Sequence, residues 1–319
     1  MKRIGVLTSG GDAPGMNAAI RSVVRIALAK KLEVSGIYRG YSGFMSDDIK
    51  PLTHRSVSNI INRGGTILKT SRCPEFMTKE GQEKAVEVIK SHNIDGLVVI
   101  GGDGSYRGAL ALSKDWHIPC IGVPGTIDND LGGTDYTIGF DTALNTALDA
   151  IDKIRDTVTS LERIFIVEVM GRLSGAIALN VALAGGAEQV LMPERLFDIN
   201  RICEEITEGY IRGKVSWIII VAEGVIKAHD LEEKIKHNTD LETRSVVLGH
   251  IQRGGVPTAR DRVLATCLGA AAVDLLINGE SGKAVGMAGE NINAIPLEKA
   301  IEKKVIRTET IYNLIKILT

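Results

Sequence analysis

The sequence is poor in aromatic residues and has no excess of charge of either sign. Aromatic side chains make up 4% of the chain, whereas hydrophobic residues make up 44%, so we expect an aliphatic core. The formal net charge is −1, which gives the chain no bulk attraction for nucleic acid or for an anionic membrane. We therefore expect no nucleic-acid partner and no membrane partner.

Cysteine is also scarce, and no long apolar run occurs. The cysteines are widely spaced and form no CxxC pair, which argues against a zinc site or a dithiol redox motif. No apolar run approaches the roughly 18 residues of a membrane span. The first residues, MKRIGVLTSGG, look like a strand and not like a signal peptide. These features predict a cytoplasmic protein.

Short aliphatic and β-branched runs recur along the 319 residues and lack polar alternation, as strands buried on both faces do. They are Ile4–Leu7, Leu97–Ile100, Cys120–Val123, Ile164–Val169 and Trp217–Val221. Amphipathic stretches such as residues 141–160 lie between them. This alternation predicts an α/β fold with mainly parallel sheets, and the length suggests two domains. Ligands bind such sheets beyond the carboxyl ends of the strands.

Two glycine-rich loops follow predicted strands and precede helices. TSGGDAPGMNAAI (8–20) matches neither the GxGxxG fingerprint nor a P-loop; it is either a phosphate loop at a helix N-terminus or a packing turn. In VVIGGDGSYRGA (98–109), the glycines let the backbone approach a polyphosphate, and Asp103 offers a hard oxygen ligand for Mg²⁺. The alternative for Asp103 is a plain helix cap.

Several arginines lie beside glycines or at the ends of predicted strands. A guanidinium group binds phosphate through two charge-assisted hydrogen bonds, whereas any single arginine is more simply a surface residue. Together they suggest more phosphate groups than one nucleotide carries. They are Arg63, Arg72, Arg163, Arg172, Arg212, Arg244 and Arg253.

The hexapeptide GTIDND (125–130) places two carboxylates and a carboxamide after a buried strand. A kinase that acts on an alcohol needs a base near the hydroxyl group and a metal near the transferring phosphoryl group. In an extended segment Asp128 and Asp130 would share a face, and Asn129 would point away. The alternative is an Asx-rich turn.

The whole chain resembles the ATP-dependent bacterial 6-phosphofructokinases. The resemblance is carried by IGVLTSGGDAPGMNAAIR (4–21), RGGTIL (63–68), SRCPEF (71–76), GGDGSYRGA (101–109), PGTIDND (124–130), TIGFDTALN (137–145), VEVMGR (167–172), AEG (222–224) and GHIQRGGVPTARDR (249–262). It implies two Rossmann-like three-layer α/β/α domains with the active site in the cleft between them. Residues 1–138 and 251–304 would bind ATP, residues 139–250 and 305–319 would bind the sugar phosphate, and the assembly would be a homotetramer.

The resemblance also implies roles for individual residues in transfer of the ATP γ-phosphoryl group to the 1-hydroxyl of fructose 6-phosphate. Asp128 matches the general base and Asp103 the Mg²⁺ ligand, with Thr126 and Asp130 as neighbours at the sugar and the metal. Arg72 and Arg172 would stabilise the transferring group. The residues that match the ATP site are Gly11, Arg72, Cys73, Gly102, Asp103, Gly104 and Ser105.

The implied sugar-phosphate site includes residues from two subunits. Arg163 and Arg244 would come from the neighbouring subunit, so that oligomerisation completes the active site. The full implied set is Thr126, Ile127, Asp128, Arg163, Met170, Gly171, Arg172, Glu223, Arg244, His250, Ile251, Gln252 and Arg253.

ATP is favoured over pyrophosphate as the donor. Pyrophosphate-dependent relatives tend to have an acid after GGD and a lysine before TIDND, where this chain has Gly104 and Gly125. We interpret both glycines as room for the nucleotide. Met77 replaces a basic residue that is common near the adenosine. The alternatives are a pyrophosphate-dependent enzyme and a non-catalytic sugar-phosphate-binding regulator, which should have lost an acid from TIDND or GGDG.

A site for ADP or phosphoenolpyruvate as effector is also implied, but with altered surroundings. The matching residues are Arg21, Arg25, Arg155, Gly186, Glu188, Arg212 and Lys214. Asn59, Leu161, Val215 and Ser216 replace charged or ionisable residues of relatives. Because charge-assisted hydrogen bonds stabilise a bound anion by about 1.5–3 kcal/mol each, we expect a weak response to either effector.

Overall fold

The computed structural model describes residues 1–306 and 308–319, and these residues divide into two compact units. The first unit contains Met1–Thr142 and Arg253–Lys304. The second unit contains Ala143–Gln252 and Val305–Thr319. Each unit is therefore assembled from two separate stretches of the chain.

Strands and helices alternate through most of the chain. The strands are β1 (Arg3–Thr8), β2 (Glu33–Ile37), β3 (Ile49–Leu52), β4 (Gly96–Gly101), β5 (Cys120–Pro124), β6 (Ile164–Val169), β7 (Gln189–Leu191), β8 (Trp217–Ala222), β9 (Thr243–Val247), β10 (Lys283–Ala288) and β11 (Asn291–Pro296). The helices are α1 (Met16–Ala29), α2 (Ser42–Met45), α3 (Lys79–Ser91), α4 (Asp103–Asp115), α5 (Phe140–Leu161), α6 (Ala176–Ala184), α7 (Ile199–Ile211), α8 (Ala228–Thr239), α9 (Ala259–Ile277), α10 (Leu297–Ala300) and α11 (Thr308–Leu318). Glu75–Met77 and Gly249–Gln252 form 3₁₀ turns.

The sheet of the first unit has the strand order β11-β10-β5-β4-β1-β2-β3. Its inner strands pair in parallel, whereas β3 and β11 add to the two edges in the antiparallel direction. The sheet of the second unit has the order β7-β8-β6-β9 and its strands pair in parallel. The predicted α/β class with mainly parallel sheets is confirmed.

The central strands are buried along their whole length because their side chains are aliphatic on both faces. Every residue of β4, β5 and β8 is buried. The core of the first unit forms around residues such as Leu7, Leu97 and Val99, and that of the second around Ile166, Ile219 and Val221. Buried sheets of this kind hold the loops at their strand ends in fixed positions.

Side-chain caps fix where several helices begin. Thr78, Asp198 and Thr258 accept hydrogen bonds from backbone amides in the first turns of α3, α7 and α9, which satisfies amides that have no partner inside a helix. No helix in the described part of the chain is long and apolar enough to span a membrane.

Candidate active site

The loops that follow β1, β4 and β5 lie at the carboxyl end of the first unit's sheet. The three strands are parallel neighbours, so their carboxyl ends lie on the same side of the sheet. The Ser9 amide donates to the Ile100 carbonyl at 3.0 Å, and the Gly125 amide donates to the Gly101 carbonyl at 3.0 Å. The structure thus brings the predicted glycine-rich and acid-rich loops together.

Gly104 and Gly125 differ in what surrounds the missing side chain. A Cβ at Gly104 would meet no atom within 4 Å, so the space beside it is open. A Cβ at Gly125 would lie 3.0 Å from Ile100 Cγ2 and 3.1 Å from Met16 Cε, inside the packed interior. The interpretation of Gly125 as room for a nucleotide is therefore wrong, because its Cβ direction leads into the core.

The first turn of α4 carries a buried hydroxyl group. Ser105 is 3% exposed, and its Oγ has no hydrogen-bond partner among residues 1–306 and 308–319. The hydroxyl lies beside the backbone of Gly10 and Gly101, whose Cβ positions would be 3.5 and 2.3 Å from it. A buried hydroxyl group at a helix N-terminus is well placed to donate to an anionic ligand.

Asp103 is the first residue of α4 and precedes the open space beside Gly104. Within the described residues, no group of three or more His, Cys, Asp or Glu side chains is arranged to hold a metal ion. Mg²⁺ in nucleotide sites commonly takes one or two carboxylates and obtains its other ligands from phosphate oxygens and water. The donor set at Asp103 fits that kind of site.

The TIDND segment is bent and not extended. Asn129 has φ 49°, in the left-handed region, so the alternation of an extended chain does not apply to its neighbours. The expectation that Asp128 and Asp130 share the face of an extended segment is therefore wrong. Asp128 is 4% exposed, and its amide donates to Thr126 Oγ1 at 3.2 Å. Ile127 is fully buried.

Asn129 anchors this loop instead of pointing away from it. Its Oδ1 accepts from the Thr137 amide at 3.1 Å, and its Nδ2 donates to the Asp135 carbonyl at 3.1 Å. The Thr137 hydroxyl group donates to the Thr126 carbonyl at 2.6 Å. Lys304, which the sequence did not single out, also donates to Asn129 Oδ1. A single lysine about 175 positions further along the chain gives no local signal of this contact.

Asp261 fixes the segment of chain that follows the TIDND loop and its hydrogen-bonding partners. Its carboxylate accepts from the Gly139 amide at 2.9 Å and from the amide and hydroxyl of Thr142 at 2.8 and 2.5 Å. Burial raises the pKa of Asp261 although these hydrogen bonds act in the opposite direction. The start of α5 is thereby tied to the first turn of α9, behind the TIDND loop.

In the second unit, several predicted sugar-site residues meet at the carboxyl end of β6. The Met170 amide donates to Gln252 Oε1 at 2.8 Å. The amides of Gly171 and Arg172 donate to Glu223 Oε1 at 3.2 and 2.8 Å. Glu223 directly follows β8. The 3₁₀ turn after β9 holds His250, Ile251 and Gln252.

Arg163 and Arg244 lie at the opposite, amino end of the same sheet. Arg163 directly precedes β6, and Arg244 pairs with Phe165 near the start of β6. Both arginines are ion-paired with Glu242, at 2.9 Å from Arg163 Nε and 2.7 Å from Arg244 Nη2. At about 3.3 Å per residue, the strand separates them from Met170 by roughly 15–25 Å. One chain therefore does not bring Arg163 and Arg244 to the predicted sugar-site residues at the carboxyl end of β6.

Arg253 belongs to the first unit and not to the group at β6. Its guanidinium lies against the β1–α1 loop, where Nη1 donates to the Asp12 carbonyl at 3.3 Å. A Cβ at Gly11 would be only 1.8 Å from Nη1. Gly11 is thus the residue that leaves space for this arginine.

The predicted ATP-site residues Arg72 and Cys73 lie in the segment before α3. Arg72 is exposed, and its carbonyl accepts from the Ser42 hydroxyl group at 3.2 Å. Cys73 is half-buried and packs against the core of the first unit. Met77, in the following 3₁₀ turn, is 83% exposed.

The predicted effector residues of the second unit form two hydrogen-bonded groups. Arg155 Nη2 donates to the Gly186 carbonyl at 2.8 Å. Glu188 accepts from the Ile218 amide at 2.7 Å and pairs with Lys214 Nζ at 3.3 Å.

The other predicted effector residues lie on helices. Arg212 directly follows α7, is exposed and pairs with Glu208 of that helix at 3.0 Å. Arg21 and Arg25 lie on α1 of the first unit. Asn59 and Leu161 are exposed, and Val215 and Ser216 are half-buried before β8.

The sequence matches a family model described as phosphofructokinase over residues 3–276. It is 56% identical over 319 residues to the ATP-dependent 6-phosphofructokinase of Bacillus velezensis, and the match covers all of both chains. The α/β fold with glycine- and acid-rich loops at its strand ends is thus that of a known class of sugar-phosphate kinases. The chain belongs to the phosphofructokinase family.

Solved structures agree with this assignment. The phosphofructokinase of Saccharomyces cerevisiae matches all of this chain with a TM-score of 0.87 and 34% identity, while the chain spans 47% of that protein. A pyrophosphate-dependent phosphofructokinase from Marinobacter aquaeolei matches 97% of the chain, and 86% of its own length, with a TM-score of 0.85 at 24% identity. The second likeness shows the shared fold alone, so the fold does not decide which phosphoryl donor is used.

Proposed function

We infer that this chain is an ATP-dependent 6-phosphofructokinase, which transfers the γ-phosphoryl group of ATP to the 1-hydroxyl of fructose 6-phosphate in glycolysis. The full-length 56% identity to the B. velezensis enzyme supports this function. The observation that carries it in the structure is the buried Asp128 at the same carboxyl end of the sheet as the first turn of α4, which contains Asp103 and Ser105. A base and a phosphate-binding loop side by side are what transfer to an alcohol requires.

Asp128 is the general base in this proposal. A carboxylate at hydrogen-bonding distance from the sugar hydroxyl accepts its proton as the oxygen attacks the phosphorus. Thr126 and Ile127 shape the same loop, and Asp130 supports it near the metal. Arg72 and Arg172 stabilise the charge that develops on the transferring phosphoryl group. Met170, Gly171 and Glu223 contact the sugar.

Asp103 would hold Mg²⁺ together with the phosphates of the nucleotide. When bound, the metal neutralises charge on the phosphate oxygens during in-line transfer. The protein's own groups at this end of the sheet hold the nucleotide. The backbone of Gly11, Gly102 and Gly104 approaches the phosphates, and the Ser105 hydroxyl group donates a hydrogen bond to them. Arg72 and Cys73 complete this set.

The open space beside Gly104 supports ATP as the donor, because a nucleotide needs more room than pyrophosphate does. Gly125 packs against the core and does not bear on the choice of phosphoryl donor. The alternative of a pyrophosphate-dependent enzyme has no observation in its favour beyond the shared fold. A non-catalytic regulator is disfavoured because Asp103, Asp128 and Asp130 are all present.

Arg163 and Arg244 would bind the 6-phosphate of a sugar held by a neighbouring copy of the chain. Their position at the amino end of β6, away from Met170 and Glu223, supports this sharing. His250, Ile251, Gln252 and Arg253 would complete the 6-phosphate and sugar contacts within one chain. A homotetramer, in which each site uses residues of two subunits, is the assembly that we propose.

A weak effector site is proposed around Arg155, Gly186, Glu188 and Lys214. ADP or phosphoenolpyruvate would have to displace the ion pair between Glu188 and Lys214. Arg21, Arg25 and Arg212 complete the proposed set, and the uncharged Val215 and Ser216 weaken it. We further propose a cytoplasmic location, with no nucleic-acid or membrane partner.

A steady-state assay tests the function directly. Purified protein is assayed with ATP, Mg²⁺ and fructose 6-phosphate, then with pyrophosphate in place of ATP, and then with added ADP or phosphoenolpyruvate. We expect turnover with ATP, little with pyrophosphate and small effector responses. Turnover with pyrophosphate alone would overturn the donor assignment, and strong inhibition by sub-millimolar phosphoenolpyruvate would overturn the weak-effector proposal.

A further inference from the structure

Lys304 is the last residue of the first unit, and its side chain lies against the TIDND loop. Its Nζ donates to Asn129 Oδ1 at 3.1 Å and to the Asp135 carbonyl at 2.8 Å. Its own amide donates to the Asp130 carbonyl at 3.4 Å. Lys304 therefore holds the loop through both its side chain and its backbone.

The residue that Lys304 contacts controls the direction of two proposed catalytic acids. Asn129 stands between Asp128 and Asp130 and adopts φ 49°, a left-handed conformation that asparagine tolerates better than most residues and that its side-chain hydrogen bonds support here. A change in the backbone angles of Asn129 would redirect Asp130 and shift Asp128. The hydrogen bonds to the Asn129 side chain are thus the contacts that keep both acids in place.

The position of Lys304 is not explained by stability. Burial lowers the pKa of Lys304 to about 8, although the charges of Asp135 and Asp130 act in the opposite direction. Without the lysine, Asn129 Oδ1 would still accept from Thr137 and the Asp135 carbonyl would still accept from Asn129. Lys304 is half-buried, and desolvation opposes its charge, so we expect the lysine to add little net stability to the loop.

We propose that Lys304 is a positioning residue for phosphoryl transfer, which fixes Asn129 so that Asp128 meets the acceptor hydroxyl in one orientation. This inference rests on the proposed function of Asp128 as the base. Since misplacement of a reacting group by about 1 Å lowers a rate by as much as 10²-fold, a partly loosened loop should lower kcat by roughly 10-fold.

The test compares Lys304→Met with Lys303→Met as the matched control. Lys303 is exposed, and its β-bridge to Leu131 uses only the backbone. We expect Lys304→Met to lower kcat by roughly 10-fold, with an unchanged KM for fructose 6-phosphate and an unchanged Tm. Lys303→Met should match the wild type. A wild type without activity would refute the proposed function, whereas an active Lys304→Met equal to Lys303→Met would overturn this inference alone.

Two further measurements separate positioning from general damage. Hydrogen exchange over residues 126–137 should be faster in Lys304→Met than in Lys303→Met, whether or not substrate is present. In the double variant with Asn129→Ala, kcat should be no lower than in Asn129→Ala alone, because Lys304 acts through Asn129. Additive losses, a fall in Tm or failure to fold would each contradict the proposal.

Discussion

The two units present their candidate binding groups in different ways. In the first unit the groups are buried: Asp128 is 4% exposed in the loop after β5, and Ser105 is 3% exposed in the first turn of α4, which follows β4. In the second unit, Arg163 and Arg244 are ion-paired with Glu242 at a sheet end that is open to solvent. The groups of the first unit are buried, whereas the two arginines of the second unit pair with an acid of the same chain.

This difference distinguishes the groups that we propose to act in the reaction from those that we propose to bind the substrate. Groups that act in the transition state gain from being fixed in advance, because no reorganisation then accompanies the reaction. Arginines that bind a phosphate group of the substrate must first leave Glu242, so part of their binding free energy is lost to that exchange. Changes in the first unit should therefore affect kcat, and changes at these arginines should affect KM.

The largest effect is expected from Asp128→Ser. Loss of the proposed base should lower kcat by roughly 10²–10⁴-fold with little change in the KM for fructose 6-phosphate. Steady-state kinetics measures both. Asp149→Ser, which removes an exposed acid of α5 that pairs with Lys153 of the same helix, serves as the control. If kcat held and only KM rose, Asp128 would be a binding residue.

A smaller effect is expected from Arg163→Ser. Loss of a charge-assisted contact of about 1.5–3 kcal/mol with the 6-phosphate should raise the KM for fructose 6-phosphate by roughly 10–150-fold, with kcat nearly unchanged. Arg201→Ser removes an exposed arginine of α7 that pairs with Glu205 in its own helix, and should have no such effect. A fall in kcat without a rise in KM would remove the contrast between the two units.

The sequence predicted the central strands because unbroken apolar runs identify strands buried on both faces. It did not single out β9 or β11, since TRSVV and NINAIP mix polar and apolar residues at sheet edges. It assigned Arg163 and Met170 to one sugar-phosphate site in which Arg163 comes from the neighbouring subunit, and within one chain the two residues lie at opposite ends of β6. Contacts such as Lys304 with Asn129 depend on the fold and have no local signal.

Glycine shows the same limit at a finer scale. Gly104 and Gly125 look alike in sequence, since both follow apolar strands in acid-containing loops. The structure separates them, because one faces open space and the other faces Ile100 and Met16. A glycine indicates that another group approaches the backbone closely, and only the three-dimensional structure shows whether that group is a ligand or a core side chain.

A still smaller effect is expected from Glu242→Gln. If Glu242 competes with the 6-phosphate for Arg163 and Arg244, removing its charge should lower the KM for fructose 6-phosphate. Exposed ion pairs contribute about 0.2–1 kcal/mol, which corresponds to roughly a 1.4–5-fold change. Glu204→Gln, at an exposed position of α7, is the control. A raised KM would show that Glu242 orients the arginines and does not compete with the substrate.

The smallest effect concerns the strand that carries Arg244. Glu232 of α8 accepts hydrogen bonds from Ser245 of β9 and from Lys236. Burial alone would raise the pKa of Glu232, but these hydrogen bonds outweigh it, so the pKa lies below the ordinary value of 4.5. A depressed carboxyl pKa stabilises the fold above the unfolded-state value, and this stabilisation is lost as the pH falls through the folded-state pKa.

Glu232→Gln should therefore lower Tm by a few degrees at pH 7, about 1 kcal/mol of unfolding free energy, and the difference from wild type should shrink as the pH falls below about 4.5. Thermal unfolding followed across pH measures this. Glu233→Gln alters an exposed neighbour that pairs with His229 of the same helix, and should leave Tm unchanged at every pH. A difference that did not depend on pH would mean that Glu232 supports β9 through packing. Packing, and not a charged hydrogen bond, would then stabilise β9 at the exposed end of the second unit's sheet.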